Sequence, residues 1–319
     1  MPRIQGNEDP EICSGYKNMK SAQRRNRLDK IKVNKYRLNI LVKIVVPVFI
    51  ILVSLFILTI STKFWSNNNK TSFVFQKQNG DVGVTIFDPV LTELTTLVIP
   101  ADTQVDVARN YGQLRIKNVW QLGINEKLRG SLLAQTVTRD FLFPTYLWSG
   151  LDLSNPWKFL VTSKNTNIPF GDRLKMVLFS VKVKGIDKNE IDLGKSQFLK
   201  KQILTDGETG YTINGTISGR LTVYFADNYV SNNNLKFAII DSTSSYGIAT
   251  NVGSILEVLG GKVVSVDRRS SNTDLDCKIY GKDLVAIKSI KNIFGCTTTS
   301  DKTDFDIVLE LGGKFVKRF

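Results

Sequence analysis

The chain has 319 residues and a net charge of +14, and its 42% hydrophobic and 23% charged content is typical of folded protein rather than disorder. It contains no histidine, which excludes Ser-His-Asp and Cys-His nucleophiles and histidine-bound metals, but not a metal held by carboxylates. Cys13, Cys277 and Cys296 form no C-x-x-C pair, so zinc ribbons and thioredoxin-like redox sites are excluded as well. At this length we expect two folded units and an anchor.

The excess of positive charge is concentrated before residue 44. The cations that follow one another most closely there are Arg24, Arg25, Arg27, Lys30, Lys32, Lys35, Arg37 and Lys43. Such a run could bind nucleic acid, but directly before an apolar segment it favours a role in membrane orientation and contact with anionic lipid heads. Because acidic residues are mixed in and no recognition motif is present, we expect residues 1–37 to be a basic cytoplasmic tail that binds no nucleic acid.

A membrane-spanning helix is predicted directly after this tail. Residues 44–60 read IVVPVFIILVSLFILTI, an uncharged run between Lys43 and Lys63. Extended to residues 38–63, the run is long enough to cross a hydrocarbon core of about 30 Å. A cleaved signal peptide and a buried soluble helix are the alternatives, and the long basic region before the run fits neither well. We therefore expect a single-pass protein of the cell membrane, with a cytoplasmic N-terminus and the bulk of the chain outside the cytoplasm.

The first exported region is assigned to residues 72–230, after a linker at residues 64–71 whose Phe64 and Trp65 are expected at the outer membrane interface. Apolar, β-branched stretches separated by turn residues predict strands at 72–75, 82–87 and 94–99. Apolar residues at mixed three- and four-residue spacing predict helices at 131–143 and 172–183. The fold class is therefore α/β, with an α+β first domain in which helices flank a central sheet.

The second exported region, residues 234–319, shows a regular alternation of strands and helices. A strand at 235–241, a helix ending at Gly260 and Gly261, and a strand at 262–266 predict a βαβ unit. A strand at 277–281, a helix at 282–295 and a last strand at 305–313 follow. The sequence therefore predicts a small C-terminal domain of βαβ type.

The third predicted strand runs into a short motif, Ile99-Pro100-Ala101-Asp102-Thr103. This motif, followed by a polar loop and a K-I-N-like segment, resembles the I-P-R-D-T motif of the LytR-CpsA-Psr family of bacterial cell-envelope proteins, which also have a single N-terminal span. Membership would imply transfer of lipid-pyrophosphate-linked glycopolymers onto the cell wall. The family's arginine is Ala101 here, which removes a charge that would stabilise the transferred phosphate.

The C-terminal region carries a second resemblance, to the LytR C-terminal domain. The matching segments are Asp241–Thr243, Gly247–Ala249, Gly260, Val264–Val266 and Asp306–Gly312. They keep the order and spacing of that domain over most of the region. The resemblance implies a first domain that is a degenerate relative of the transferases, joined to a complete C-terminal domain.

Four residues are candidates for a site near the motif. Asp102 is a candidate catalytic residue and metal ligand, Arg115 a candidate catalytic residue, and Arg109 and Lys117 candidate ligand-binding cations. Arg109, Arg115 and Lys117 could supply the charge of the missing arginine. The alternative is that the three cations are solvated residues on a loop and strand edge, and that Asp102 caps a turn or helix.

Cys277 begins a predicted strand and Cys296 follows the next predicted helix, two elements that pack together in a βα unit. Outside the cytoplasm a disulfide between them would add about 3 kcal/mol of stability by the loop-entropy estimate. Two buried free thiols are the alternative. Cys13, in the cytoplasmic tail, is expected to be reduced.

The sequence is compatible with two functions. The first is a non-catalytic envelope protein, without a cofactor, that binds a cell-wall polymer, a polyisoprenoid lipid or another envelope protein. The second is an active glycopolymer phosphotransferase in which Asp102 holds Mg²⁺ and other cations replace the arginine. The second requires a basic, partly apolar pocket on which Asp102 and an arginine converge. Regulation of transcription by the basic tail is disfavoured, because the tail contains no recognition motif.

Overall fold

The structure, a computed structural model, describes residues 42–56, 62–162, 165–215 and 219–319. Residues 42–56 form helix α1 and their side chains are exposed. The predicted cytoplasmic tail and the two ends of the predicted span, residues 38–41 and 57–61, lie outside the described residues. Within the described ranges, no helix combines the length and the apolar character needed to cross a membrane. The chain divides into two units, residues 1–61 and residues 62–319.

Strands and helices alternate through the second unit. The strands are β1 (Thr71–Gln76), β2 (Val82–Asp88), β3 (Glu93–Ile99), β4 (Gln104–Val107), β5 (Gly112–Arg115), β6 (Leu147–Ser149), β7 (Lys188–Asp192), β8 (Leu199–Ile203), β9 (Thr209–Ile213), β10 (Lys236–Asp241), β11 (Lys262–Arg268), β12 (Cys277–Gly281), β13 (Thr297–Thr298) and β14 (Ile307–Leu311). The helices are α2 (Ile116–Asn125), α3 (Gly130–Asp140), α4 (Pro156–Val161), α5 (Phe170–Lys182), α6 (Gly219–Phe225), α7 (Asn228–Asn232), α8 (Ile248–Val258), α9 (Leu284–Phe294) and α10 (Gly313–Arg318). The predicted α/β class is confirmed.

The first sheet has the strand order β6-β1-β2-β3-β7. The three predicted strands β1, β2 and β3 form its antiparallel centre, and β6 and β7 pair in parallel at its edges. Side chains of one face, such as Val74 and Leu97, pack with α3 in a first core. Side chains of the other face, such as Phe73 and Phe87, pack with α4 and α5 in a second core. Because both faces are covered, every residue of β2 is buried.

Gly83 shows how closely this sheet is packed. Gly83 on β2 lies directly opposite Phe75 on β1, and a Cβ at Gly83 would overlap the Phe75 ring. The ring lies over the glycine and is itself buried. A glycine in the middle of a strand usually marks such a close approach, and here it makes room for an aromatic side chain.

The second sheet has the strand order β11-β10-β14-β12-β13. Strands β10 and β11 are parallel and joined through α8, which confirms the predicted βαβ unit. The last strand, β14, lies between β10 and β12 and is antiparallel to β12. Phe237, Ile279 and Leu309 on this sheet and Phe315 of α10 belong to one buried cluster. After β10 the chain turns at Asp241, whose carboxylate accepts hydrogen bonds from the backbone N–H and the hydroxyl of Thr243.

Phe64 and Trp65, which the sequence predicts at the outer membrane interface, pack in the structure against the core between the first sheet and α5. The Trp65 ring lies 5.6 Å from Phe87 and 5.3 Å from Phe179, measured between ring centroids. The reason is the backbone of this segment, which is hydrogen-bonded to the buried carboxylate of Asp172 on α5. The aromatic residues are thereby drawn into the protein.

Candidate functional site

The motif that follows β3 forms a tight turn. The backbone N–H of Thr103 donates to the Pro100 carbonyl at 3.0 Å, and the Thr103 hydroxyl donates to the same oxygen at 2.7 Å. The backbone N–H of Ala101 donates to the Asp81 carboxylate at 2.8 Å. Thr103 is fully buried, so the motif threonine is a structural residue that closes the turn. The turn leaves Asp102 half exposed at its tip.

Asp102 lies at the centre of an ion-pair network. Its Oδ1 atom is 2.7 Å from Lys117 Nζ and 2.8 Å from a terminal nitrogen of Arg115. Arg115 also pairs with Asp206 at 2.8 Å and with Glu208 at 3.2 Å. Arg115 ends β5, Lys117 lies in the first turn of α2, and the two further acids lie in the turn between β8 and β9. We call these five residues the Asp102 network.

The electrostatics of the network follow from these contacts. Hydrogen bonds from Lys117 and then Arg115 lower the pKa of Asp102, and the acidic partners Asp206 and Asp102 raise the pKa of Arg115. Asp102 is therefore anionic at neutral pH and is poorly suited to donate a proton. The network holds two cations and three carboxylates, so it carries a formal excess of one negative charge.

Arg109, the fourth candidate, is placed differently. It lies in a short turn after β4 with a positive φ of 66°, and its Nε atom donates to Gln135 on α3 at 2.9 Å. Among the described residues, it forms no hydrogen bond or ion pair with the Asp102 network. The structure thus brings together Asp102, Arg115 and Lys117 and does not join Arg109 to them.

These side chains do not fit a divalent cation. In the described ranges, no group of three or more acidic or cysteine side chains is arranged to hold a metal ion. Asp102 Oδ1 already contacts Arg115 and Lys117. Asp206 and Glu208, the other carboxylates of the network, contact Arg115. A Mg²⁺ site needs several oxygen ligands with room for water, which this arrangement does not offer.

The sequence did not indicate a cavity of about 330 Å³ that lies away from the Asp102 network. Its wall combines basic and aromatic side chains, including Lys63, Trp65, Lys70, Tyr146, Phe225 and Lys288. None of the four predicted site residues lines it. The sequence feature that could have indicated the cavity is the group of lysines and aromatic residues directly after the apolar run, Lys63, Phe64, Trp65 and Lys70.

Lys70, Tyr146 and Lys288 contribute polar groups to this cavity. Lys70 pairs with Asp88 at 3.3 Å and donates to the Val223 carbonyl at 2.7 Å, so its charge is largely satisfied. Burial, and secondarily the charge of Asp172, raises the pKa of Tyr146 well above its ordinary value. Tyr146 is therefore a neutral phenol that can donate a hydrogen bond to a ligand, while Lys288 is exposed at the rim.

Cys277 and Cys296 are joined by a disulfide, with their Cα atoms 4.6 Å apart. The bridge links the start of β12 to the residue before β13, and both sulfurs lie in the core of the C-terminal region. It lies in a different core from the one that supports the Asp102 network. The disulfide is therefore a structural element and not part of the candidate site.

Comparison with known proteins gives low similarities. No family model matches the sequence, and no curated protein matches it. Similar solved structures include TagT from Bacillus subtilis, with 11% identity over 48% of this chain and 88% of TagT and a TM-score of 0.30. The Lin1025 protein from Listeria innocua gives 9% identity over 46% of this chain and 92% of that protein, with a TM-score of 0.34.

A further solved structure is described as a LytR-CPS2A-Psr family protein, YwtF (TagT), with bound octaprenyl pyrophosphate lipid. It shows 12% identity over 47% of this chain and 86% of that protein, with a TM-score of 0.29. At these identities and scores no residue role and no activity is transferred from these proteins to this chain.

Proposed function

We propose that this chain is a single-pass protein of the cell membrane that binds an envelope ligand outside the cytoplasm without transferring it. The apolar run at residues 44–60 and the basic tail before it support the topology. The two sequence resemblances, in the I-P-A-D-T motif and in the C-terminal region, support a role at the cell wall. The ligand classes are a cell-wall polymer, a polyisoprenoid lipid or another envelope protein.

The observation that carries the non-catalytic part is the charge balance of the Asp102 network. Phosphoryl transfer needs cations that are free to stabilise the charge of the transferred group. Here Arg115 is shared among three carboxylates and Lys117 is paired with Asp102. Position 101 contributes only a methyl group. The motif therefore keeps its turn but offers no uncommitted cation to a phosphate.

The cavity lined by Lys63, Trp65 and Tyr146 supports the binding part of the proposal. Ligand sites are concave, with apolar walls and a few polar groups that orient the ligand. Aromatic walls would hold the apolar portion of an amphiphilic ligand, and the ammonium of Lys288 at the rim would attract an anionic portion. A lipid-linked polymer has both portions.

One observation favours the second candidate, an active phosphotransferase. Asp102, Arg115 and Lys117 converge on a single turn, which is the first requirement of such a site. For transfer, Arg115 would have to leave Asp206 and Glu208 when substrate binds. The cavity would also have to be connected to the turn, whereas its walls include none of these residues.

The test uses the full chain in detergent micelles with an undecaprenyl-pyrophosphate-linked glycan and Mg²⁺, and it measures binding and turnover separately. We expect binding without turnover, weakened by Lys288→Gln and unchanged by Asp102→Asn. Ala101→Arg is expected to be inert in turnover as well. Turnover by the natural chain that Asp102→Asn abolishes would show instead that the protein is an enzyme.

Lys291→Gln provides a matched control for the binding arm. Lys291 lies on the same helix, α9, as Lys288, and it is not among the residues that line the cavity. Binding that is weakened equally by the two substitutions would reflect general charge and not the cavity.

A further inference from the structure

Helices α4 and α5, and the short turn at Gly185–Asp187 after α5, expose large apolar side chains instead of covering them. The residues are Trp157, Val161, Leu178, Val181 and Ile186, and their exposed fractions run from 58% for Leu178 to 85% for Ile186. Single exposed apolar residues are common on protein surfaces, but a cluster on neighbouring elements usually marks a contact site. We call these five residues the α4–α5 surface.

The helices are held so that their exposed sides point away from the first sheet. Phe159 of α4 and Met176 of α5 belong to the same buried core on one face of that sheet. Arg173 of α5 donates to the carbonyl of Phe159 at 3.1 Å and to that of Thr162 at 2.7 Å, which joins the two helices. On each helix the exposed residues lie three or four positions apart, so they share a face.

The α4–α5 surface is surrounded by positive charge. The lysines of this range that the structure describes are Lys158, Lys175, Lys182, Lys184 and Lys188. Between residues 156 and 188 the sequence has only two acids, Asp172, which is fully buried, and Asp187. Within the part of the chain that the structure describes, none of the five lysines forms an ion pair. Their charge is therefore available to an anionic partner.

The surface is also tied to the segment that follows the apolar run. Asp172, in the first turn of α5, accepts hydrogen bonds from the backbone N–H groups of Lys63, Phe64 and Trp65 at 3.1, 3.0 and 2.7 Å. If residues 38–63 span the bilayer, Lys63 lies at its outer surface. The first turn of α5 then lies close to that surface, because Asp172 is hydrogen-bonded to Lys63.

We propose that the α4–α5 surface docks on the anionic lipid surface of the bilayer in which the chain is anchored. Trp157 and the aliphatic side chains enter the head-group region, and the surrounding lysines bind lipid phosphates, as in other interfacial helices with a basic rim. The proposal rests on the proposed membrane anchoring. The anchor raises the local concentration of the surface at the bilayer, so a weak intrinsic affinity is sufficient.

The first experiment places the full chain in vesicles whose acyl chains carry bromine, with phosphatidylcholine alone or mixed with phosphatidylglycerol. Brominated lipid quenches tryptophan fluorescence only at close range. Trp65, Trp120 and Trp148 pack against the cores, but Trp65 lies only two residues after Lys63, so the signal is the difference in quenching between the natural chain and Trp157→Phe. We expect this difference to need phosphatidylglycerol. If a second copy or another protein covers the surface, Trp157 is not quenched, which overturns the proposal.

The second experiment separates the surface from the anchor. Residues 62–319 form a unit with its own cores, and their binding to phosphatidylglycerol vesicles is measured by flotation. We expect each of Lys158→Gln, Lys182→Gln and Lys184→Gln to weaken binding about fivefold. The matched controls are Lys200→Gln and Lys201→Gln, on exposed positions of β8 beside the exposed Ile203.

The outcomes of the two experiments are distinct. If the unit binds and responds to the three substitutions while the full chain fails to insert, the anchoring is wrong and the surface is right. If the full chain inserts but Trp157 is not quenched, or if the controls weaken binding as much as the three substitutions, the surface does not dock on lipid.

Discussion

The buried carboxylate of Asp172 is predicted to hold the segment after the apolar run on the folded domain. It accepts three backbone N–H groups, from Lys63, Phe64 and Trp65, and it has no ion-pair partner among the described residues. In Asp172→Asn two of these bonds become neutral and the third meets an amide that is also a donor. Bonds to charged groups contribute about 1.5–3 kcal/mol and neutral ones about 0.5–1.5 kcal/mol, so we expect a loss of about 2–4 kcal/mol.

The assay is urea unfolding of residues 62–319, followed by circular dichroism, with the same substitution made in a shorter fragment that begins at residue 67. In the shorter fragment the three donors are absent, so Asp172→Asn should cost little or even stabilise by removing a buried charge. The difference between the two costs isolates the contact. Asp304→Asn, at a fully exposed carboxylate, is the control and should change the free energy of unfolding by less than about 0.5 kcal/mol.

Equal costs of Asp172→Asn in the two fragments would refute this reasoning. The carboxylate would then stabilise α5 for a reason unrelated to the segment at 63–65. A cost as small as that of Asp304→Asn in the longer fragment would also refute it, because a fully buried carboxylate with three donors cannot be replaced without loss.

Three further predictions concern the fold. Burial raises the pKa of Asp140 to about 7, so the folded state binds more protons than the unfolded state between about pH 4 and 7. The free energy of unfolding therefore falls as the pH rises through that range. Asp140→Asn should raise the urea midpoint at pH 8 but not at pH 4. Replacing both Cys277 and Cys296 with serine should cost about 3 kcal/mol in urea unfolding, and dithiothreitol should lower the natural protein to the level of that variant. Gly83→Ala should cost about 1–3 kcal/mol in the same assay, because its methyl group would displace the Phe75 ring.

In the first sheet, the strands that could be predicted are the three long central ones. Strands β1, β2 and β3 are continuous apolar stretches between turn residues, and the structure places all three at the centre of the first sheet. The edge strands β6 and β7 were not predicted. The first has three residues and the second, Lys188–Asp192, is largely polar and exposed, so neither carries an apolar pattern.

The candidate site could be predicted only in part, because its partners come from distant sequence. The motif identified Asp102, and proximity in sequence suggested Arg115 and Lys117, which do contact it. Asp206 and Glu208 lie in a hairpin turn about a hundred residues later, where a polar turn resembles any other. The sequence did not indicate that Arg109 would lie apart from these residues: its backbone has a positive φ of 66°, which is uncommon for arginine, and its side chain donates to Gln135 on α3.

Under the proposed non-catalytic function, the charge of the Asp102 network explains why Ala101→Arg is expected to show no transfer. Three carboxylates face two cations, so a guanidinium introduced at position 101 would first neutralise the excess negative charge. An uncommitted cation appears only when the cations outnumber the carboxylates. In the proposed non-catalytic function, the alanine at position 101 and the presence of Asp206 and Glu208 around Arg115 therefore act in the same direction. Both reduce the positive charge that the turn could offer to a phosphate.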